Sequence, residues 1–359
     1  MYLDNAASTE IIQPVKNKVI ELLDCYGNPS SLHNKGIEAK SIIDNATNII
    51  SKKINCDISE IYYTSGATMS NNIAIQGYMN NHDNALFITS SVEHDDIIML
   101  SKKYNGIKIG VDHDGYINLQ ELENILNDNK DKNILCSFQM ANSETGVVQD
   151  MKQISKIVHM YSAILHTDAT QYIPYYPVDV SQLNIDMLSM SGQKIGCIKG
   201  IGLLYIKNGI ELEPIIYGRQ GLIGGTENVI GIGCLGEAFN NLDYDFSNTI
   251  CRRDELIKYL DGKLIGSHFN RLPNNVNVLF EGVDSEKLQY ILNSNEIYVS
   301  GGSACSSGSG EPSHVIMAMG YSEDDAKSCI RITIPRNITT AEVKYISKII
   351  NVNYKFMKG

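Results

Sequence analysis

Along the first two thirds of the chain, a short apolar run leads repeatedly into a polar or glycine-bearing turn and then into a helical period. Residues 60–63 run into Thr64-Ser65-Gly66-Ala67-Thr68, residues 86–89 precede Ser90 to His94, and 134–138 lead to Asn142. Residues 163–167 end at Asp168, 187–189 lead to Ser191 and Lys194, and 202–206 follow. Between them, Ala39, Ile42, Ile43, Ala46, Ile49, Ile50 and Ile54 fall at three-to-four spacing, as do Leu119, Leu122, Ile125 and Leu126. Each set is one apolar face of a helix. Strands alternating with helices require right-handed crossovers, hence an α/β fold with a mainly parallel sheet sandwiched by helices. Such sheets bind ligands beyond the carboxyl ends of their strands, where Thr68, His94, Asp168 and Lys194 fall.

The acidic, aromatic-bearing stretch 240–248 reads as a boundary. It predicts a large domain over 13–240 and a smaller α+β domain from 241–359, completed by residues 1–12. The smaller part shows a helix around 254–260, an alternating strand over 275–280, a glycine-serine loop over 300–310 and a helix around 341–350. With 359 residues, 43% of them apolar, the chain can bury sizeable cores. Acidic residues outnumber basic ones 41 to 30 and no Lys/Arg block occurs, which argues against nucleic-acid binding. No run approaches the roughly 20 apolar residues of a spanning helix, and the first residues lack the features of a signal peptide. Eight scattered cysteines without a C-x-x-C pair predict a reduced, cytoplasmic protein with mostly buried thiols. The histidines show no paired-ligand spacing, so no metal site is expected.

Four places draw chemistry. Thr64-Ser65-Gly66-Ala67-Thr68 opens a helix after a strand; it reads first as a capping turn and second as an anion site of backbone N–H groups with the Thr68 hydroxyl. Asp168 at a strand end suits an N-cap, a metal or a protonated ring nitrogen. Lys194, among small residues past a strand, suits Schiff-base chemistry if buried. Cys305, in Ser303-Ala304-Cys305-Ser306-Ser307-Gly308, has no core to hide in, and accessibility is what a nucleophilic thiolate needs.

These pieces, in this order, resemble the cysteine desulfurases, pyridoxal-phosphate (PLP) enzymes of the class V aminotransferase family, fold type I. The resemblance runs from end to end, through Tyr2-Leu3-Asp4-Asn5-Ala6-Ala7, Gly27-Asn28-Pro29-Ser30-Ser31-Leu32-His33, Val92-Glu93-His94 and Glu144-Thr145-Gly146. It continues through His166-Thr167-Asp168-Ala169-Thr170-Gln171, Gly225-Thr226-Glu227-Asn228, Gly302-Ser303-Ala304-Cys305 and Pro312-Ser313-His314-Val315. The long serine-rich cysteine loop looks like the group that feeds iron–sulfur cluster assembly.

By that resemblance Lys194 would hold PLP covalently, Asp168 would pair with the pyridinium nitrogen, His94 would stack on the ring and Gln171 would bond its phenolic oxygen. Phosphate would rest on Ala67, Thr68 and Ser191, with Thr226 reaching in from the other subunit of a homodimer. Ser143 and Gln193 would flank the cofactor, and Arg331, with Asn28, would hold the substrate. The implied reaction converts L-cysteine to L-alanine: Lys194 takes the α-proton, His94 shuttles protons at the thiol, and Cys305 receives the sulfur as a persulfide. A sulfur-acceptor or scaffold protein would then take it.

Several positions depart from the family pattern. Gln193 stands for the histidine before the lysine, Met69 for a glutamate, Ser143 for an asparagine and Pro335 for a glycine. The stretch from Gly218 to Thr226 is short, and Ile223 replaces a basic residue. These departures leave two other readings open: a related lyase acting on selenocysteine or another amino acid, and a weakened member serving as a binding partner.

Overall fold

The computed structural model describes residues 1–218, 221–301 and 311–359. Seven strands form the main sheet: β1 (Ile61–Thr64), β2 (Leu86–Ser90), β3 (Ile107–Ile109), β4 (Ile134–Gln139), β5 (Ile164–Asp168), β6 (Met187–Ser191) and β7 (Gly202–Ile206). Their order is β1-β7-β6-β5-β4-β2-β3. Strands β6, β5, β4, β2 and β3 run parallel, while β7 lies antiparallel to both β6 and β1. The sheet is therefore mainly parallel, as the alternation of strand and helix requires.

Both faces are covered, and the pleat shows it. Phe87, Leu135, Met187, Leu204 and Ile206 pack with Ile73, Ile75, Ile97 and Leu100 from helices Ala67–Asn81 and Asp95–Lys103. Their neighbours Ile88, Cys136, Leu188, Leu203 and Tyr205 point the other way. They join Ala46 and Ile50 of helix Asn34–Ile54, Ile154 and Val158 of Met151–Met160, and Ile232 and Leu235 of Val229–Asn240.

A second core gathers Val276, Val278, Ile330 and Ile332 from a smaller antiparallel sheet of β8 (Lys263–Leu264), β9 (Asn275–Leu279) and β10 (Cys329–Thr333). Helices Ser247–Tyr259, Ser285–Ser294 and Thr340–Lys358 cover it, and Leu3 is buried in it. The N-terminal segment is bound there by bridges Tyr2 to Tyr298 and Asp4 to Thr333.

Some bounds differ from the sequence reading. The strand before Lys194 extends to Ser191, and a single 3-10 turn, Gly192–Lys194, follows. The helix expected around 254–260 begins at Ser247, inside the stretch read as a boundary. No helix of the described residues is long and apolar enough to cross a membrane.

Candidate active site

The carboxyl ends of β4, β5 and β6, the turn after β1 and the N-terminal segment close around a cavity of about 330 Å³. At one wall, Gly66 holds φ +153°, a value side-chain-bearing residues rarely adopt, and turns the chain into helix Ala67–Asn81. Among the described residues, no side chain caps that helix. Its first N–H groups, with the hydroxyls of Thr68 and of Ser191 at the end of β6, face the cavity as an uncapped donor set.

Asp168 ends β5. Its Oδ1 accepts from the Thr170 N–H at 2.9 Å and its Oδ2 from Asn71 Nδ2 at 2.9 Å. Asn71, fully buried, donates also to Asp96 Oδ2 at 3.1 Å. Asp96 Oδ1 lies 2.8 Å from Nδ1 of His94, the residue that caps helix Asp95–Lys103. Burial pushes the Asp96 carboxyl up, but the bond and charge of His94, with Asn71 and the Ile97 N–H, outweigh it and hold the carboxyl below its ordinary value.

Lys194 Nζ donates to the carbonyls of Ala6 and Ala7 at 2.6 and 2.7 Å, and Gln171 Nε2 donates to the Ala6 carbonyl at 2.9 Å. The first residues of the chain thus hold the lysine. Arg331, 2% exposed on β10, donates from Nη2 to Asp4 Oδ1 at 2.8 Å and from Nη1 to the Ser143 carbonyl at 3.3 Å. Its Nε is buried without a partner among the described residues. Behind the wall, burial pushes Glu93 up to about 8; its Oε2 accepts from the Gln139 N–H at 2.9 Å.

The cavity brings together Ala67, Thr68, His94, Ser143, Asp168, Gln171, Ser191, Gln193, Lys194 and Arg331. Within one chain it does not bring in Thr226, which lines a neighbouring groove, or Asn28, which is exposed and accepts from the Ser30 N–H on the connection to helix Asn34–Ile54. Cys305 and its loop lie outside the described residues. Met69 turns its thioether back on Ser65, whose N–H and hydroxyl both lie 3.3 Å from the sulfur. Sequence reading missed Asn71, Asp96 and the Ala6 and Ala7 carbonyls as parts of the site.

The residues fit PLP. A cavity of this size admits a small aromatic phosphate, the uncapped helix end and two hydroxyls suit the phosphate, and an amine stands ready for a carbonyl carbon. Asp168 suits a protonated ring nitrogen. Thr170 Oγ1, buried on the cavity lining without a partner among the described residues, marks that lining as incomplete on its own.

The aminotransferase class-V family model matches residues 1–346. The cysteine desulfurase IscS of Methanosarcina thermophila is 36% identical, over 98% of this chain and 91% of that protein. That of Dictyoglomus turgidum is also 36% identical, over 96% and 92%. Among solved structures, a NifS-like protein superposes with a TM-score of 0.91 at 30% identity, covering 99% of both chains. A structure titled SspA in complex with cysteine gives 0.82 at 31%, over 94% of this chain and 99% of that one. The fold is that of these NifS-like proteins, PLP fold type I. Similarity of that extent, across almost every residue, makes the chain a member of the class V aminotransferase family in its cysteine desulfurase branch.

Proposed function

We propose that the chain is a PLP-dependent cysteine desulfurase that converts L-cysteine to L-alanine and passes the sulfur to Cys305. The observation that carries this reading is the convergence of Lys194, Asp168, His94 and Arg331, from four separate segments of the chain, on one cavity. PLP, when bound, supplies an electron sink for charge developing at the substrate Cα. The protein supplies the rest. Asp168 holds a positive ring nitrogen, and Ala67, Thr68 and Ser191 hold phosphate, with Gln193 and Ser143 beside it and Thr226 added from a second subunit. The guanidinium fork of Arg331 has an Nε–H, unpaired among the described residues, for the substrate carboxylate. Lys194 Nζ receives the Cα proton, and the His94 imidazole exchanges a proton at the substrate thiol. Cys305 thiolate then attacks the substrate sulfur: the S–S bond forms as the C–S bond breaks, the electron pair stays with the substrate Cβ, which takes up the proton that His94 removed from the thiol, and Lys194 returns its proton to Cα, giving L-alanine.

The same reading makes 13–240 the cofactor domain and 1–12 with 241–359 a smaller domain carrying the Cys305 loop. It also infers a homodimer, an acceptor or scaffold protein for the sulfur, and a reducing cytoplasm. Free thiols at all seven described cysteines support the last. The test is alanine released from L-cysteine under a thiol reductant. Wild type should turn over, Cys305→Ala should not, and Lys194→Ala should lose the yellow colour of bound cofactor. Turnover independent of Cys305 would overturn the persulfide route.

A further inference from the structure

We infer that Asp96 is a positioning residue for His94, and that Asn71 couples the pair to Asp168. The inference rests on the desulfurase reading for its catalytic meaning, though not for its geometry. Among the described residues, the Asp96 carboxylate at 2.8 Å and the Asp96 backbone N–H at 3.5 Å compete for His94 Nδ1. The short contact wins. An ionised carboxylate only accepts, so Nδ1 carries a hydrogen and donates it to Asp96 Oδ1. In a neutral ring the proton-accepting atom is then Nε2.

The orientation of Asn71 locks the arrangement. Its Nδ2 lies 3.1 Å from Asp96 Oδ2 and 2.9 Å from Asp168 Oδ2, and both hydrogens are used. Flipping the amide would set its oxygen against two carboxylates, so Oδ1 takes the buried position, without a partner among the described residues. One amide therefore fixes a carboxylate that orients the histidine and a carboxylate, Asp168, that would hold the cofactor ring nitrogen. The titratable surroundings are mixed. Lys194 and Arg331 line the same cavity, Glu93 lies buried next in sequence, and Asp95 on the same helix sits 3.6 Å from His314.

The test uses the PLP-loaded enzyme with ¹⁵N-labelled histidine, His94→Gln identifying the His94 signals. Wild type should show hydrogen on Nδ1. Asp96→Ala should give mixed tautomers and keep the cofactor's absorbance. Alanine release should fall roughly tenfold or more, a share of the 10²–10⁴ that general acid–base catalysis supplies. Asp96→Asn, which keeps an acceptor without the charge, should retain the tautomer and move the imidazole titration to lower pH. Hydrogen on Nε2 in wild type, or a tautomer untouched in Asp96→Ala, would sink the proposal. Should Asp96→Ala fail to fold, the wild-type tautomer and the Asp96→Asn titration still decide. A wild type that releases no alanine from cysteine counts against the desulfurase reading, while the tautomer measurement stands independently.

Discussion

Arg331 meets Asp4 through one amino group and the Ser143 carbonyl through the other, which leaves Nε–H buried with nothing to bond among the described residues. An unmade bond of this kind costs about 1–3 kcal/mol, a cost that an arriving carboxylate relieves. Lysine at this position keeps a charge but loses the fork. Arg331→Lys should therefore lower kcat/KM for L-cysteine roughly 10- to 100-fold, mostly through KM, in line with the 1.5–3 kcal/mol of a charged hydrogen bond. Cofactor absorbance should be unchanged, and an unaltered KM would remove Arg331 from substrate binding. Lys194 and Asp168 were legible because each stands at or just past the end of an apolar strand, where a charged side chain needs a reason, whereas Arg331 came only with the family resemblance. Asn71 was not, because an asparagine inside a helix reads as solvated surface until the fold buries it. A backbone carbonyl such as that of Ala6 has no side-chain signature at all.

At the scale of elements, the turn after β1 depends on its neighbour in the sheet. Gly202 opens β7 opposite Thr64, and a Cβ there would sit 2.5 Å from Gly66 Cα and 2.8 Å from its N and C. Backbone cannot swing aside as a side chain can, so Gly202→Ala must displace the turn that delivers Ala67 and Thr68 to the cavity. The expected cost is about 1–3 kcal/mol of stability, seen in denaturant unfolding, together with weaker PLP retention on dialysis. A variant as stable as wild type that keeps its cofactor would show that the turn does not depend on this approach. Strands bounded by turn residues were legible from sequence. β3 was not, because three residues carry too little period to stand out. Helix Val229–Asn240 was also missed: its glycines obscure any helical period, yet Gly236 lets it approach helix Asn34–Ile54 where a Cβ would lie 2.7 Å from Ala46 Cβ.

Across the whole molecule, the chain's first residues join its two cores. Leu3 is buried with the second core while the carbonyls of Ala6 and Ala7 hold the lysine that follows β6 in the first. The fold class was legible because strand–helix alternation is a periodic signal; residues 1–12 were read with the smaller domain, but the hold of the Ala6 and Ala7 carbonyls on the lysine was not read, because a backbone contact between distant segments leaves no such signal. The large sheet also holds a buried titrating group that sets a pH dependence. His166 on β5 is fully buried, its Nδ1 2.8 Å from Ser137 Oγ on β4 and its Nε2 2.9 Å from Ser189 Oγ on β6. Burial pushes its pKa down to about 3 from an ordinary 6.5. The unfolded chain then binds a proton below 6.5 that the folded chain refuses, so this stability is present above 6.5 and lost as pH falls toward 3. Glu93, raised to about 8 from 4.5 by burial, acts oppositely, and its stability is lost as pH rises between those values. The two oppose each other between pH 4.5 and 6.5, so the total slope identifies neither. The difference between wild type and His166→Asn isolates one. With PLP in excess in both, wild type should lose about 2 kcal/mol more than the variant between pH 7 and 5. Equal slopes would mean that the folded protein accepts a proton on His166 as readily as the unfolded chain does, and that the serine–histidine–serine ladder across the three strands is not closed to water.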